Sequence, residues 1–211
     1  VLSHLRVGAG RVFGPVADAL LRAGVSPDVV TVVGTLGVVV TALWAYPTGH
    51  LLTGTLVIAV FVLSDLVDGL MARRSGRSGP WGAFLDSTLD RFGDAAVFTG
   101  LLLWLAGRGA DDVGAVLALA CLVLGSIVPY ARARAEGLGM TASVGIAERA
   151  DRLALVLVAA ALVGIGLPTT VLTVVLGLLA VASLVTVVQR MAAVRRQVVA
   201  HTQGSVEGPT A

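Results

Sequence analysis

The chain has 211 residues, of which 56% are hydrophobic and only 13% charged, with a mean hydropathy of +0.93. A soluble domain of this size carries about a quarter charged residues, so the composition points to the bilayer. A net charge of +2 gives no support to nucleic-acid binding, and a single cysteine, Cys121, excludes a disulfide framework.

The first 28 residues hold no long apolar core and no small-residue cleavage site, so they do not read as a secretory signal peptide. From Ala9 to Ala23, Val12, Val16, Ala19 and Leu20 fall at helical spacing, with Arg11, Asp18 and Arg22 elsewhere on the wheel. This predicts an amphipathic helix lying in the membrane interface. Ser26-Pro27-Asp28 then supplies a helix start. A crossing helix needs roughly 20 apolar residues. Six stretches qualify, near Val29–Tyr46, Leu51–Ala72, Gly82–Ala106, Val113–Arg132, Ala150–Gly166 and Thr169–Met191. The segment from Gln197 to Ala211 is polar and rich in small residues, and is expected to be a disordered tail. The expected fold is all-α. A six-transmembrane-helix bundle (29–196) follows a juxtamembrane amphipathic segment (1–28) and precedes the tail (197–211).

All 15 basic residues are arginines. Thirteen of them fall on one side of the expected spans: Arg6, Arg11, Arg22, Arg73, Arg74, Arg77, Arg132, Arg134, Arg149, Arg152, Arg190, Arg195 and Arg196. Arg108 is alone in the opposite loops, which are short, and Arg91 lies within the third span. The positive-inside rule makes the arginine-rich side, and with it both termini, cytoplasmic.

Five aspartates lie inside apolar spans: Asp65, Asp68, Asp86, Asp90 and Asp94. Each costs about 2.5–3.5 kcal/mol at a helix centre, so an intramembrane acid marks function by default. Pairing with arginine as structural glue explains one such acid. It does not explain five, because Arg91 is the only basic residue within the spans near them. Asp65, Asp68, Gly69 and Ala72 share one helix face, and Gly82, Asp86 and Asp90 share a face of the next. Four carboxylates therefore converge across one seam, within roughly 12 Å of the level of Arg73 at 1.5 Å rise per residue. They repel one another unless protons or cations neutralise them. His4, His50 and His201 lie at ends or in loops, so the donor set is oxygen alone. That suits a hard divalent ion, and four acids can hold two. Gly69 and Ala72 leave room beside the acids for a bulky group; tight helix packing is the other use of such small residues.

The pattern Asp65-x2-Asp68-Gly69-x2-Ala72-Arg73-x8-Gly82-x3-Asp86-x3-Asp90 resembles the signature of the CDP-alcohol phosphotransferase family at all eight fixed positions. The resemblance implies divalent metal (Mg²⁺, or Mn²⁺, as two ions) on Asp65, Asp68 and Asp86. It makes Asp90 the general base, also in reach of metal. Gly69, Ala72, Arg73 and Gly82 would accommodate the cytidine diphosphate of the donor, CDP-diacylglycerol. A Pro-Asn-x-x-Thr-like element of the family has its counterpart in Pro27-Asp28-Val29-Val30-Thr31, which adds Asp28 and Thr31 to the donor site; helix capping is their alternative role. The resemblance also implies a homodimer in the cell (inner) membrane, with the active site facing the cytoplasm.

The motif does not specify the acceptor alcohol. Arg132, Arg152 and Arg190 lie at helix ends on the same side as the aspartates, and guanidinium groups suit bidentate phosphate recognition. Interfacial snorkelling is the competing explanation, and it accounts for Arg195 and Arg196. These segments are similar to the actinobacterial branch of the family that uses inositol 1-phosphate. A glycerol 3-phosphate acceptor, as in phosphatidylglycerophosphate synthesis, would use the same arginines. Outside the family, a metal or proton transporter also places acids in its spans, but near the midplane and with repeat symmetry, and neither is visible here.

Overall fold

The computed structural model describes residues 2–76, 79–146 and 148–206, with side chains from residue 12 to residue 200. All of its regular structure is helical: α1 (Leu2–Arg22), α2 (Pro27–Ala45), α3 (Leu51–Val62), α4 (Ser64–Arg74), α5 (Pro80–Ala106), α6 (Asp112–Glu136), α7 (Arg149–Gly164) and α8 (Thr170–Val206). Four stretches are long and apolar enough to cross a membrane: Pro27–Ala45, Leu51–Arg74, Asp112–Glu136 and Thr170–Ala200. Helix α5 has the length, at 27 residues, but carries Asp86, Asp90, Arg91 and Asp94, and α7 has 16 residues.

The packing is that of a ring. Helix α2 packs on α5, α5 on α6, α6 on α8, α8 on α7, α7 on α3, and α3 on α2 again. Helix α2 shows the outward-facing apolar surface most clearly. On α2 the buried positions are Thr31, Gly34, Val38, Ala42 and Ala45, whereas Val29, Val33, Leu36 and Val40 are exposed. Water would penalise that outward stripe; hydrocarbon does not. Close approach of α2 and α5 depends on Gly100, where a Cβ would stand 2.3 Å from the Ala42 carbonyl oxygen.

The second crossing is broken in two at Leu63. The Ser64 hydroxyl donates to the Phe61 carbonyl (2.6 Å) and takes the place of a helical main-chain bond. Helix α2 accommodates the break through Gly34, where a Cβ would lie 2.1 Å from Ser64 Oγ. Asp65 and Asp68 thus sit in the first turns of a new helix, α4.

Two expectations change at the ends of the chain. Helix α1 begins at Leu2 rather than Ala9. Its buried face is Ala17 with Phe13, Leu20 and Leu21, packed on Val67 and Met71 of α4, while Val12 and Val16 of the expected stripe are exposed. Arg74 ties the two helices together through the Asp18 carboxylate and the Gly14 carbonyl. At the other end, α8 continues through 197–206, where a disordered tail was expected. Gln197 Oε1 accepts from the Thr141 N–H (3.0 Å) and its Nε2 donates to the Thr141 carbonyl (2.6 Å), which anchors that turn. Residues 207–211, and Arg77 among the expected cytoplasmic arginines, lie outside the described residues.

Candidate active site

The start of α2 is capped by Ser26, whose hydroxyl accepts from the Val29 N–H (3.4 Å). Capping therefore does not occupy Asp28 or Thr31. Asp28 Oδ2 accepts from Trp81 Nε1 (3.0 Å), linking the first turns of α2 and α5. The Thr31 hydroxyl donates to Asp68 Oδ2 over 2.6 Å, both groups being buried. Helix α2 is thus bonded to both α4 and α5 around one cavity.

That cavity has a volume of about 360 Å³. Asp65, Asp68, Asp86 and Asp90 line it together, with Asp28, Thr31, Gly69, Ala72, Arg73 and Gly82. The structure therefore brings together all ten residues expected at the metal and donor sites. A Cβ at Gly82 would meet nothing within 4 Å, and one at Gly69 would meet only the Arg73 guanidinium, at 3.4 Å. Neither glycine is used for helix packing; both face open space.

A second cavity of about 230 Å³ adjoins the first. Arg132, Arg152 and Arg190, the expected acceptor arginines, all line it, from α6, α7 and α8. Their surroundings differ. Arg152 is 3% exposed, and its Nε and Nη1 have no hydrogen-bond partner. Arg190 donates through Nε to the Val144 carbonyl (3.0 Å) and through Nη1 to the Val128 carbonyl, so it builds the wall. Arg132 is exposed and paired with Glu136 (2.9 Å).

Two further arginines of these cavities were not singled out from the sequence. Arg149 lines both cavities. Its Nη1 lies 2.9 Å from Asp90 Oδ1 and 3.7 Å from Asp65 Oδ2, and its Nε donates to Asp94 Oδ1 (3.1 Å). Arg91 lines the second cavity and reaches Asp90 (3.8 Å) and Asp94 (3.6 Å), while its Nε is buried without a partner. The signal for Arg149 was its spacing: three residues before Arg152, it shares that residue's helix face.

The charges decide what the first cavity can hold. Asp65, Asp90 and Asp94 are matched by the guanidinium groups of Arg91, Arg149 and Arg152, three against three. Among the described residues, Asp68 and Asp86 have no guanidinium within 4 Å. Two uncompensated carboxylates amount to the charge of one divalent cation, and the donors are all hard oxygens. Among the described residues no three acids are grouped closely enough to hold an ion as they stand. The Arg149 guanidinium contacts Asp65, Asp90 and Asp94. The donor set and its charge fit a divalent metal.

Residues 24–146 match the family model described as CDP-alcohol phosphatidyltransferase. The chain belongs to that family, and is an enzyme of phospholipid biosynthesis held in the membrane by several apolar helices. Over 203 residues it is 50% identical to the phosphatidylinositol phosphate synthase of Cutibacterium acnes, covering 93% of this chain and 98% of that protein. It is also 50% identical over 193 residues to the enzyme of that name from Streptomyces avermitilis, covering 89% of this chain and 79% of that protein. The crystal structure of Mycobacterium tuberculosis phosphatidylinositol phosphate synthase with CDP-DAG bound superposes with a TM-score of 0.83 at 43% identity, covering 87% of this chain and 94% of that one. The same enzyme in complex with manganese and citrate gives the same TM-score and identity, covering 87% of this chain and 88% of that one. Family membership removes the transporter alternative and, with the manganese in that relative, supports a divalent metal requirement.

Proposed function

We propose that this chain transfers the phosphatidyl group of CDP-diacylglycerol to inositol 1-phosphate, giving phosphatidylinositol phosphate and CMP. The observation that carries this reading is the wall shared by two cavities: one lined by four aspartates, the next by arginines whose buried donors lack partners. An unpaired buried guanidinium N–H costs free energy, which an anionic ligand removes.

Asp65, Asp68, Asp86 and Asp90 would hold Mg²⁺, with Mn²⁺ as a substitute, as two ions. When bound, the metal supplies positive charge to the diphosphate and to the departing CMP. Asp28, Thr31, Gly69, Ala72, Arg73 and Gly82 receive the cytidine diphosphate in the same cavity, and the acyl chains stay in the bilayer. Arg132, Arg152 and Arg190 face the acceptor phosphate. Asp90, which lines the first cavity and pairs with Arg149, the residue shared with the second, takes the proton of the acceptor hydroxyl. That oxygen then bonds to the β-phosphorus of the donor. The bond from this phosphorus to the bridging oxygen breaks, and CMP leaves with that oxygen.

The topology that serves this chemistry is six crossings, with α5 and α7 completing the ring. Both termini and the active site face the cytoplasm, and the enzyme works as a homodimer in the cell membrane. Residues 29–196 form the catalytic membrane domain.

The test is CMP release from CDP-diacylglycerol by the purified protein with Mg²⁺, comparing inositol 1-phosphate, glycerol 3-phosphate, inositol and serine. Release driven by inositol 1-phosphate and abolished by chelation is the expected result. Release with glycerol 3-phosphate alone would keep the mechanism and change the acceptor. No release with any of the four, from folded protein, would overturn the assignment of the site.

A further inference from the structure

The arginines around the second cavity are not equally free to meet an anion. Arg152 Nε and Nη1 and Arg91 Nε are buried without partners, whereas Arg149, which lines the same cavity, has its guanidinium on the Asp65, Asp90 and Asp94 carboxylates. Arg149 is held there by two separable sets of bonds. Its Nη1 contacts Asp90 and Asp65, both expected metal ligands. Its Nε is bonded to Asp94, which does not line the metal cavity and is also paired with Arg91 and Arg152. A divalent ion at Asp65 and Asp90 would compete with Nη1 for the same oxygens and would repel the guanidinium. It would leave the Nε–Asp94 bond in place as a pivot.

We propose that Arg149 is a two-position cation that couples metal loading to acceptor binding. In one position, the one seen here, it neutralises Asp65 and Asp90. With metal in place, its free end turns about Asp94 into the neighbouring cavity and joins Arg152 on the acceptor phosphate. This rests on the metal and acceptor sites proposed above. It adds that the acceptor site is incomplete until the metal site is filled. By linkage, the acceptor must then also tighten the metal. An order of binding follows: the phosphate is gripped fully only after the metal that acts on the donor has arrived, so acceptor is not held unproductively.

The test is calorimetry on the purified protein in detergent, with Mg²⁺ and inorganic phosphate as probes, on wild type, Arg149→Ala and Arg149→Lys. In wild type, saturating Mg²⁺ should tighten phosphate roughly tenfold, within the usual range of coupling between sites. In Arg149→Ala, Mg²⁺ should bind more tightly than in wild type, because its competitor is gone. Phosphate should bind as in wild type without Mg²⁺ and about tenfold more weakly than wild type with it. Arg149→Lys keeps the charge on the carboxylates, and hence the fold, but cannot hold Asp94 through Nε while reaching across. It should bind Mg²⁺ like wild type and still lose most of the Mg²⁺-induced tightening of phosphate. Two results would overturn the proposal. Tighter Mg²⁺ with unchanged phosphate affinity in Arg149→Ala would make Arg149 a carboxylate partner only. Phosphate weakened equally with and without Mg²⁺ would make it a fixed part of the acceptor site. Absence of Mg²⁺ binding to wild type would instead refute the metal site itself.

Discussion

Replacing Thr31 with valine keeps the volume and branching of the side chain and removes one hydroxyl. That hydroxyl is buried and donates to Asp68 Oδ2 over 2.6 Å. A hydrogen bond to a charged group is worth about 1.5–3 kcal/mol. At 1.36 kcal/mol per tenfold, this corresponds to a factor of roughly 10–150. Loss of a group that orients a metal ligand costs roughly 10–100-fold in metal affinity, so the two estimates agree. The expected outcome for Thr31→Val is a rise of that order in the Mg²⁺ concentration that half-activates CMP release, with the rate at saturating Mg²⁺ close to wild type. The assay is CMP release across a Mg²⁺ titration, alongside thermal unfolding to show that the variant is folded. An unchanged Mg²⁺ response would refute the reasoning. A rise in the KM for CDP-diacylglycerol with an unchanged Mg²⁺ response would leave Thr31 its donor contact alone and remove its role in orienting Asp68.

Asp90→Asn should lower kcat by roughly 10²–10⁴-fold, as expected for loss of a general base, while binding of CDP-diacylglycerol survives; a loss under tenfold would remove that role. Gly100→Ala places a Cβ 2.3 Å from the Ala42 carbonyl oxygen, a main-chain atom that cannot turn aside, and should destabilise by about 1–3 kcal/mol in thermal unfolding. An unchanged melting temperature would show that α2 and α5 separate easily. In the loop before α6, the Thr173 hydroxyl and the Gly114 N–H hold the Asp111 carboxylate below its ordinary value. A carboxylate with a depressed folded value contributes fully above its unfolded value, near pH 3.9, and loses that contribution as pH falls through the folded one. The melting temperature should therefore fall below about pH 4, and fall less in Asp111→Asn.

The spans could be read from the sequence because hydrophobic runs are local. The site could be read because carboxylates at helical spacing stand out in such runs. Asp65, Asp68, Asp86 and Asp90 needed no partner from elsewhere to be noticed. What stayed hidden was determined between distant positions. The break at Leu63 lacks a proline or glycine of its own; its room comes from Gly34, thirty residues earlier. The ordered turn at Gln197 depends on Thr141, across another helix and a loop. Arg149 looked like one more basic residue at a helix end. Its spacing from Arg152 was the one hint in the sequence; the packing of α7 against α3 and α8 sets where that helix end points.

The division of the second crossing has a consequence for how the protein sits in lipid. Helix α3 packs on α2 and α7, whereas α4 packs on α2 and α1. A bilayer that thickens or thins acts on the apolar length of α3 and on the tilt of the ring. At Leu63 that adjustment meets a joint rather than a continuous rod. An adjustment that reaches α3 is thereby separated from α4, whose Asp68 is bonded to Thr31 of α2.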